Sequence, residues 1–269
     1  MTITGSAVEC IDIALENGFW LYRYRVSNPS TSDVGIVAFK LDVRAPLGIH
    51  PAMLPTNGIF LADATRTAVD ASAGHVPVGF DVPEGWRAMI HADGWGEWWG
   101  PGEGLHAIDA IAPGEFRQDF AVRSTHLPGI RAVTLLPDYP YACCSYPVGD
   151  PRNAGVEVKR AEDFQVSGST VGPVFPPQSM NPELLSTLVE RACTDLGWIT
   201  NPGVCRSLEA KLEAAARALE RGQMEAARGQ LGSFLQELEA QHGPEPGKHV
   251  SDNAYWLLKI NAEYVRGTL

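Results

Sequence analysis

The sequence has no run of about 18 apolar residues, so no helical membrane span is expected. Its N-terminus, Met1-Thr-Ile-Thr-Gly-Ser-Ala-Val-Glu-Cys10, has neither a basic n-region nor an apolar core, so no signal peptide is read there. That leaves a cytoplasmic protein or a mature segment given a start Met. The usual catalytic signatures are missing: no H-E-x-x-H helix, no G-x-S-x-G elbow, no P-loop and no G-x-G-x-x-G after a strand. His50, His75, His91, His106 and His126 are scattered without paired spacing. Positive charge is scarce as well. With 21 Lys and Arg against 32 Asp and Glu, the net charge of −11 argues against nonspecific nucleic-acid binding, which needs cationic contacts to phosphate. Cysteine is sparse, and its five residues include no C-x-x-C pair, which disfavours a zinc site.

What is present reads first as strands. Trp20, Tyr22, Tyr24 and Val26 alternate with Leu21, Arg23 and Arg25, and Val37, Phe39, Leu41 and Val43 alternate with Lys40 and Asp42. One wet and one dry face is what an antiparallel sheet requires. Ile11, Ile13 and Leu15 are expected to share a face, as are Phe116, Phe120 and Val122. Short strands are expected near 59–61, 78–80 and 86–91, with turns at 28–33, Pro113-Gly114 and Pro128-Gly129, and a last strand over 130–136. Seven or eight short strands without intervening helices predict an antiparallel β-sandwich.

Residues 167–182 are rich in Ser, Gly and Pro and read as a linker. Helical periodicity then takes over. Asn181-Pro182-Glu183 has the cap, the N1 proline and the first-turn acid of a helix start, followed by Leu184, Leu185, Leu188 and Val189. Leu208, Leu212, Ala215 and Leu219 define a second helix, with Ser207 as expected cap and Gly222 as stop. Met224, Ala227, Leu231, Phe234, Leu235 and Leu238 define a third, and residues 254–265 a last one. The predicted architecture is multidomain, β then α: a sandwich over 1–166, a linker over 167–180 and a small C-terminal helical bundle over 181–269.

The order of leucine-rich helix, Gly222 turn, second helix with Ala226-Ala-Arg-Gly-Gln-Leu-Gly-Ser-Phe234, break and final helix resembles the FIMAH domain. The Gly197-Trp-Ile199 stretch leading into the helices strengthens the likeness. FIMAH domains are small helical accessory modules of secreted and surface-exposed bacterial proteins, often beside hydrolase or adhesion domains. The resemblance implies an accessory role and brings no catalytic residues. In the first 140 or so residues, the strand ending Tyr22-x-Tyr24-x-Val26-Ser-Asn28, the Gly85-Trp86 element and the Pro113-Gly114 turn before Phe116 resemble Ig-like β-sandwich domains of secreted bacterial proteins. That likeness transfers no site.

Cys193 and Cys205 flank a Gly- and Pro-containing loop whose spacing closes readily into a disulfide, worth about 3 kcal/mol in the chain-entropy model; two buried free thiols are the alternative. Cys10, Cys143 and Cys144 remain, an odd set whose pairing stays open; Cys10 could bridge to one of the adjacent pair, because ring strain makes a Cys143–Cys144 bond uncommon. This cysteine usage favours a secreted or cell-surface location.

The most suggestive local feature is His91-Ala-Asp-Gly-Trp95-Gly-Glu-Trp98-Trp99-Gly-Pro-Gly-Glu103. Flat indole faces suit sugar rings, and Asp93, Glu97 and Glu103 are acceptors for hydroxyl hydrogen bonds. Trp95, Trp98, Trp99, Asp93 and Glu97 are therefore the candidate ligand-binding residues. Core filling is the competing role for the tryptophans, since Trp98 and Trp99 point to opposite faces of any strand. Calcium held by Asp93, Glu97 and Glu103 is a further reading, though the spacing fits no standard calcium loop; no other cofactor is expected. The expected function is noncatalytic, a binding or structural role toward a glycan or a surface protein. The alternative is a carbohydrate-active hydrolase using carboxylates of the 91–103 loop.

Overall fold

A computed structural model describes residues 5–44, 59–61, 78–91, 94–100, 110–138 and 165–269. The strands are β1 (Ala7–Glu16), β2 (Phe19–Asn28), β3 (Ile36–Asp42), β4 (Ile59–Leu61), β5 (Gly79–Asp81), β6 (Arg87–Ile90), β7 (Trp95–Trp99), β8 (Glu115–Ser124), β9 (Leu127–Pro137) and β10 (Val166–Phe175). After a 3₁₀ turn at Pro177–Ser179 come α1 (Pro182–Thr194), α2 (Pro202–Glu220), α3 (Met224–Gln241) and α4 (Asp252–Thr268). The strands form two sheets, ordered β1-β2-β8-β5 and β10-β9-β3-β7-β6-β4. The chain is an antiparallel β-sandwich followed by a small helical bundle.

Contacts divide the chain into two compact units. The first comprises Met1–Val8, Arg23–Arg123 and Arg131–Ser169. Its core is aromatic and joins the two sheets. Phe39 and Trp98 stack with centroids 4.5 Å apart, while Phe80 and Phe120 from the opposing sheet meet them edge to face. Such pairs add about 0.5–1.5 kcal/mol each beyond the area they bury. Asn28, almost wholly buried, donates to the Val34 and Ile111 carbonyls at 2.9 and 2.8 Å and so fastens the turn that follows β2.

The second unit comprises Glu9–Tyr22, Ser124–Ile130 and Thr170–Leu269, so the four helices share it with the β1–β2 turn and with segments of β9 and β10. Helix α1 packs on α2 and α4, α2 on α3, and α3 on α4, closing a ring around Leu185, Leu188, Leu208, Leu212, Leu231, Phe234, Leu238 and Leu258. Cys193 and Cys205 form a disulfide across the α1–α2 loop. That loop is also bridged to the α3–α4 connection: Thr200 N–H donates to the His249 carbonyl at 2.9 Å, and Ser251 N–H to the Trp198 carbonyl at 3.0 Å. Helix α4 is held against β1 and β9 by polar side chains. Asn253 Oδ1 accepts from the Cys10 amide at 2.9 Å, Trp256 Nε1 donates to the Ile11 carbonyl at 2.8 Å, and Asn261 Nδ2 donates to the Pro128 carbonyl at 2.8 Å.

Several expectations are corrected. The stretch read as a linker carries β10, whose Val171 and Val174 are buried. Pro128-Gly129 lies inside β9 rather than in a turn, because a Cβ on Gly129 would sit 2.5 Å from the Val174 Cβ; the reversal comes earlier, at residues 125–126. In β1 the buried set is Val8, Cys10 and Ile13, so the alternation changes phase and Leu15 is left 60% exposed beside the turn. Phe116 is likewise exposed while Phe120 and Val122 are buried. Helix α2 starts at Pro202, capped by Asn201, which accepts from Gly203 N–H; Ser207 lies inside the helix and bonds Glu237 across to α3. Cys10 is a buried free thiol rather than half of a disulfide, lying beneath α4. Cys143 and Cys144 lie outside the described residues.

Candidate functional site

Strand β7 divides its side chains by parity. Gly96 and Trp98 face inward, and Trp95, Glu97 and Trp99 face the outer side of the six-stranded sheet. The inward choice is fixed by fit. A Cβ on Gly96 would lie 2.5 Å from the Phe80 Cζ, so only glycine admits that ring beside Trp98. Trp98 is fully buried, and its Nε1 donates to the Asp81 carbonyl at 3.2 Å. Trp98 is thus removed from the candidate ligand surface by its place in the core, whereas Trp95 and Trp99 stay on the outer face.

The neighbours of β7 set what lies around those two rings. On the β3 side, Asp42 is opposite Trp95, Lys40 opposite Glu97 and Ala38 opposite Trp99. On the β6 side, Met89 is opposite Glu97 and Arg87 opposite Trp99. Cross-strand partners share a face with Cβ atoms about 5 Å apart. Four residues of strand place Trp95 and Trp99 about 13 Å apart along β7, with Glu97 between them. The Arg44 guanidinium lies over the Trp95 ring at 5.7 Å.

The two described carboxylates of this face, Glu97 and Asp42, are engaged. Glu97 bonds the His91 imidazole Nε2 and has the Lys40 ammonium 3.9 Å away. Asp42 accepts two bonds from the Arg44 guanidinium, at 2.9 and 2.7 Å, and one from the Arg44 amide at 2.9 Å. Burial alone works against the charged form of Asp42. The Arg44 side-chain and backbone hydrogen bonds, with the charges of Arg131 and Arg44, outweigh it and hold the carboxyl below its ordinary value. Asp93 and Glu103 lie outside the described residues. Among the described residues, no group of three or more His, Cys, Asp or Glu is placed to hold a metal ion.

Alternation alone marks Lys40 and Asp42 as wet-face residues. Arg87 joins the site only through strand register, which the sequence does not display. Arg87 is exposed on β6. A second polar cluster lies between α3 and α4. His242 stacks on Tyr255 with centroids 3.9 Å apart and bonds Asp252 at 2.7 Å, and Tyr255 bonds Glu239 at 2.5 Å and Lys259 at 2.9 Å. Every member has a partner within the helices, as a brace between them requires.

Among the described residues, no helix is long and apolar enough to cross a membrane. No curated protein matches the chain. Among solved structures it is similar to an uncharacterized protein from Nocardia farcinica described as having an immunoglobulin-like fold, at 16% identity and a TM-score of 0.27, over 52% of this chain and 90% of that one. Residues 183–267, which take in nearly all of α1–α4, match the FIMAH domain.

Proposed function

We propose that the chain is a noncatalytic binding protein of bacterial surfaces, whose sandwich presents the outer face around β7 to carbohydrate while the FIMAH-type helices serve as an accessory module. The observation carrying this reading is the pair of outward indoles, Trp95 and Trp99, on one strand with a hydrogen-bonded carboxylate between them. Indole faces supply apolar area at little entropic cost, and fixed polar groups between them orient a ligand by its hydroxyls. A secreted or cell-surface location is supported by the match of the helices and by the Cys193–Cys205 disulfide, a bond that persists in oxidising compartments.

A glycan array probed with the parent protein, Trp95→Ala and Trp99→Ala tests the proposal. Binding by the parent and its loss in either variant is the expected result; no binding by the parent, or full binding by both variants, contradicts it. The hydrolytic alternative needs two carboxyls at a defined separation, and of Asp93, Glu97 and Glu103 the structure describes Glu97 alone. Turnover of any bound glycan by the parent, abolished in Glu97→Gln, would replace binding with hydrolysis.

A further inference from the structure

We infer that the ligand of the β7 face is an acidic polysaccharide, with Trp99 stacking a sugar ring and Arg87 engaging its carboxylate or sulfate; this deepens the carbohydrate reading and rests on it. Among the described residues, two carboxylates, Asp42 and Glu97, stand on this outer face, and each has a cationic partner. Asp42 is held by the Arg44 guanidinium, and Glu97 lies between the His91 imidazole and the Lys40 ammonium. Among the described residues of this face, Arg87 is the cation left over. It is exposed, sits directly opposite Trp99 in the β6–β7 register, and its guanidinium has no ion pair or hydrogen bond among the described residues. The chain as a whole carries −11, so an arginine without a carboxylate partner among the described residues runs against its composition.

Position makes the surplus specific. A guanidinium one strand away from an indole, on the same side of the sheet, can reach an anionic substituent on a ring stacked over that indole. Its planar fork meets a carboxylate with two parallel N–H···O bonds, a geometry a neutral hydroxyl cannot reproduce. The second aromatic position differs. Arg44 covers Trp95 at 5.7 Å and is tied to Asp42, so that end is suited to a neutral ring or to a residue that displaces the arginine. An alternating acidic polymer, with charge on every second sugar, fits one charged and one compensated position better than a uniformly neutral chain.

The test uses the full chain with polygalacturonate, alginate and hyaluronan, each beside its carboxyl-reduced counterpart, which keeps the sugar skeleton and removes the charge. The parent is expected to bind at least one acidic polymer. Carboxyl reduction should weaken that binding about tenfold or more, as loss of a charge-assisted pair does. Arg87→Gln should lower affinity for the acidic polymer by a similar factor and leave the reduced polymer unchanged, with Arg87→Lys in between. Equal binding of acidic and reduced forms, or an Arg87→Gln protein indistinguishable from the parent, overturns the acidic assignment and leaves the carbohydrate reading standing. Binding to none of the six polymers, together with a blank glycan array, overturns both.

Discussion

The Cys10 amide donates to the Asn253 carboxamide oxygen across 2.9 Å and 243 residues of sequence. The same oxygen accepts from Thr170 Oγ at 3.0 Å, so one buried Asn on α4 serves both β1 and β10. Trp256 and Asn261 extend the arrangement by bonding the Ile11 and Pro128 carbonyls. Backbone groups at these positions are satisfied by helix side chains, and buried groups left without partners are costly.

Asn253→Ala should therefore cost about 1–3 kcal/mol, since it strands the Cys10 N–H and the Thr170 hydroxyl together. Urea unfolding of the variant against the parent measures it. Asn253→Ala without effect would mean that the helix and the strands part freely in solution.

The two indole roles separate by stability. Trp98→Ala empties the stacked position between Phe39 and Phe80 and should cost about 3–5 kcal/mol. Trp99→Ala removes an outer-face ring and should stay within about 1 kcal/mol. Thermal melts of both variants decide whether β7 has the stated parity.

Cysteine chemistry should follow the same division. Burial comes first among the causes that push the Cys10 thiol well above its ordinary value, so it should resist alkylation in the native state. Cys193 and Cys205 should be unlabelled until a reductant is added, and their joint replacement by Ser should lower stability by about 2–4 kcal/mol. Peptide mapping after alkylation with and without denaturant and reductant checks each point. Native labelling of Cys10 would place it elsewhere.

Stability should fall in alkali. Burial and the Glu239 contact raise the Tyr255 pKa against the opposing effect of Lys259. Lys259 is lowered by burial but raised more by Tyr255, Glu263 and Glu239. Both groups hold protons more tightly when folded, so their contribution is complete below the unfolded values, about 10 to 10.4, and is lost as pH rises through the folded ones. Asp42 acts at the other end: its folded pKa is depressed, so its contribution is present above about 3.9 and disappears as pH falls through the folded value. Denaturation midpoints from pH 3 to 11 should decline at both ends, and Tyr255→Phe should flatten the alkaline limb.

The helices were legible because burying one stripe imposes a 3.6-residue repeat; Leu185, Leu208, Leu212, Leu231 and Leu238 all fall inside as the spacing requires. Strand β10 was hidden by its Gly and Pro residues, which elsewhere mark loops. It lies at the edge of its sheet, where a Pro such as Pro173 does not interrupt a ladder on both sides. Ser207 has the chemistry of a cap, but α2 starts earlier, where Asn201-Pro202 supplies both cap and N1 proline. Asn253 and Asn261 left a readable signal: they lie in line with Leu257 on an otherwise apolar helix face, which requires buried hydrogen-bond partners. Of the site, alternation showed that Trp98 and Trp99 diverge. Which one turns inward depends on Phe39 and Phe80, contributed by strands that only the fold brings alongside.

Hydrogen exchange of the full chain, with and without an acidic polysaccharide that it binds, addresses the outer face of the six-stranded sheet most directly. Slower exchange in β3, β6 and β7, with α1–α4 unchanged, is the predicted outcome. Protection confined to the helices, or none in any segment at saturating polymer, would contradict it.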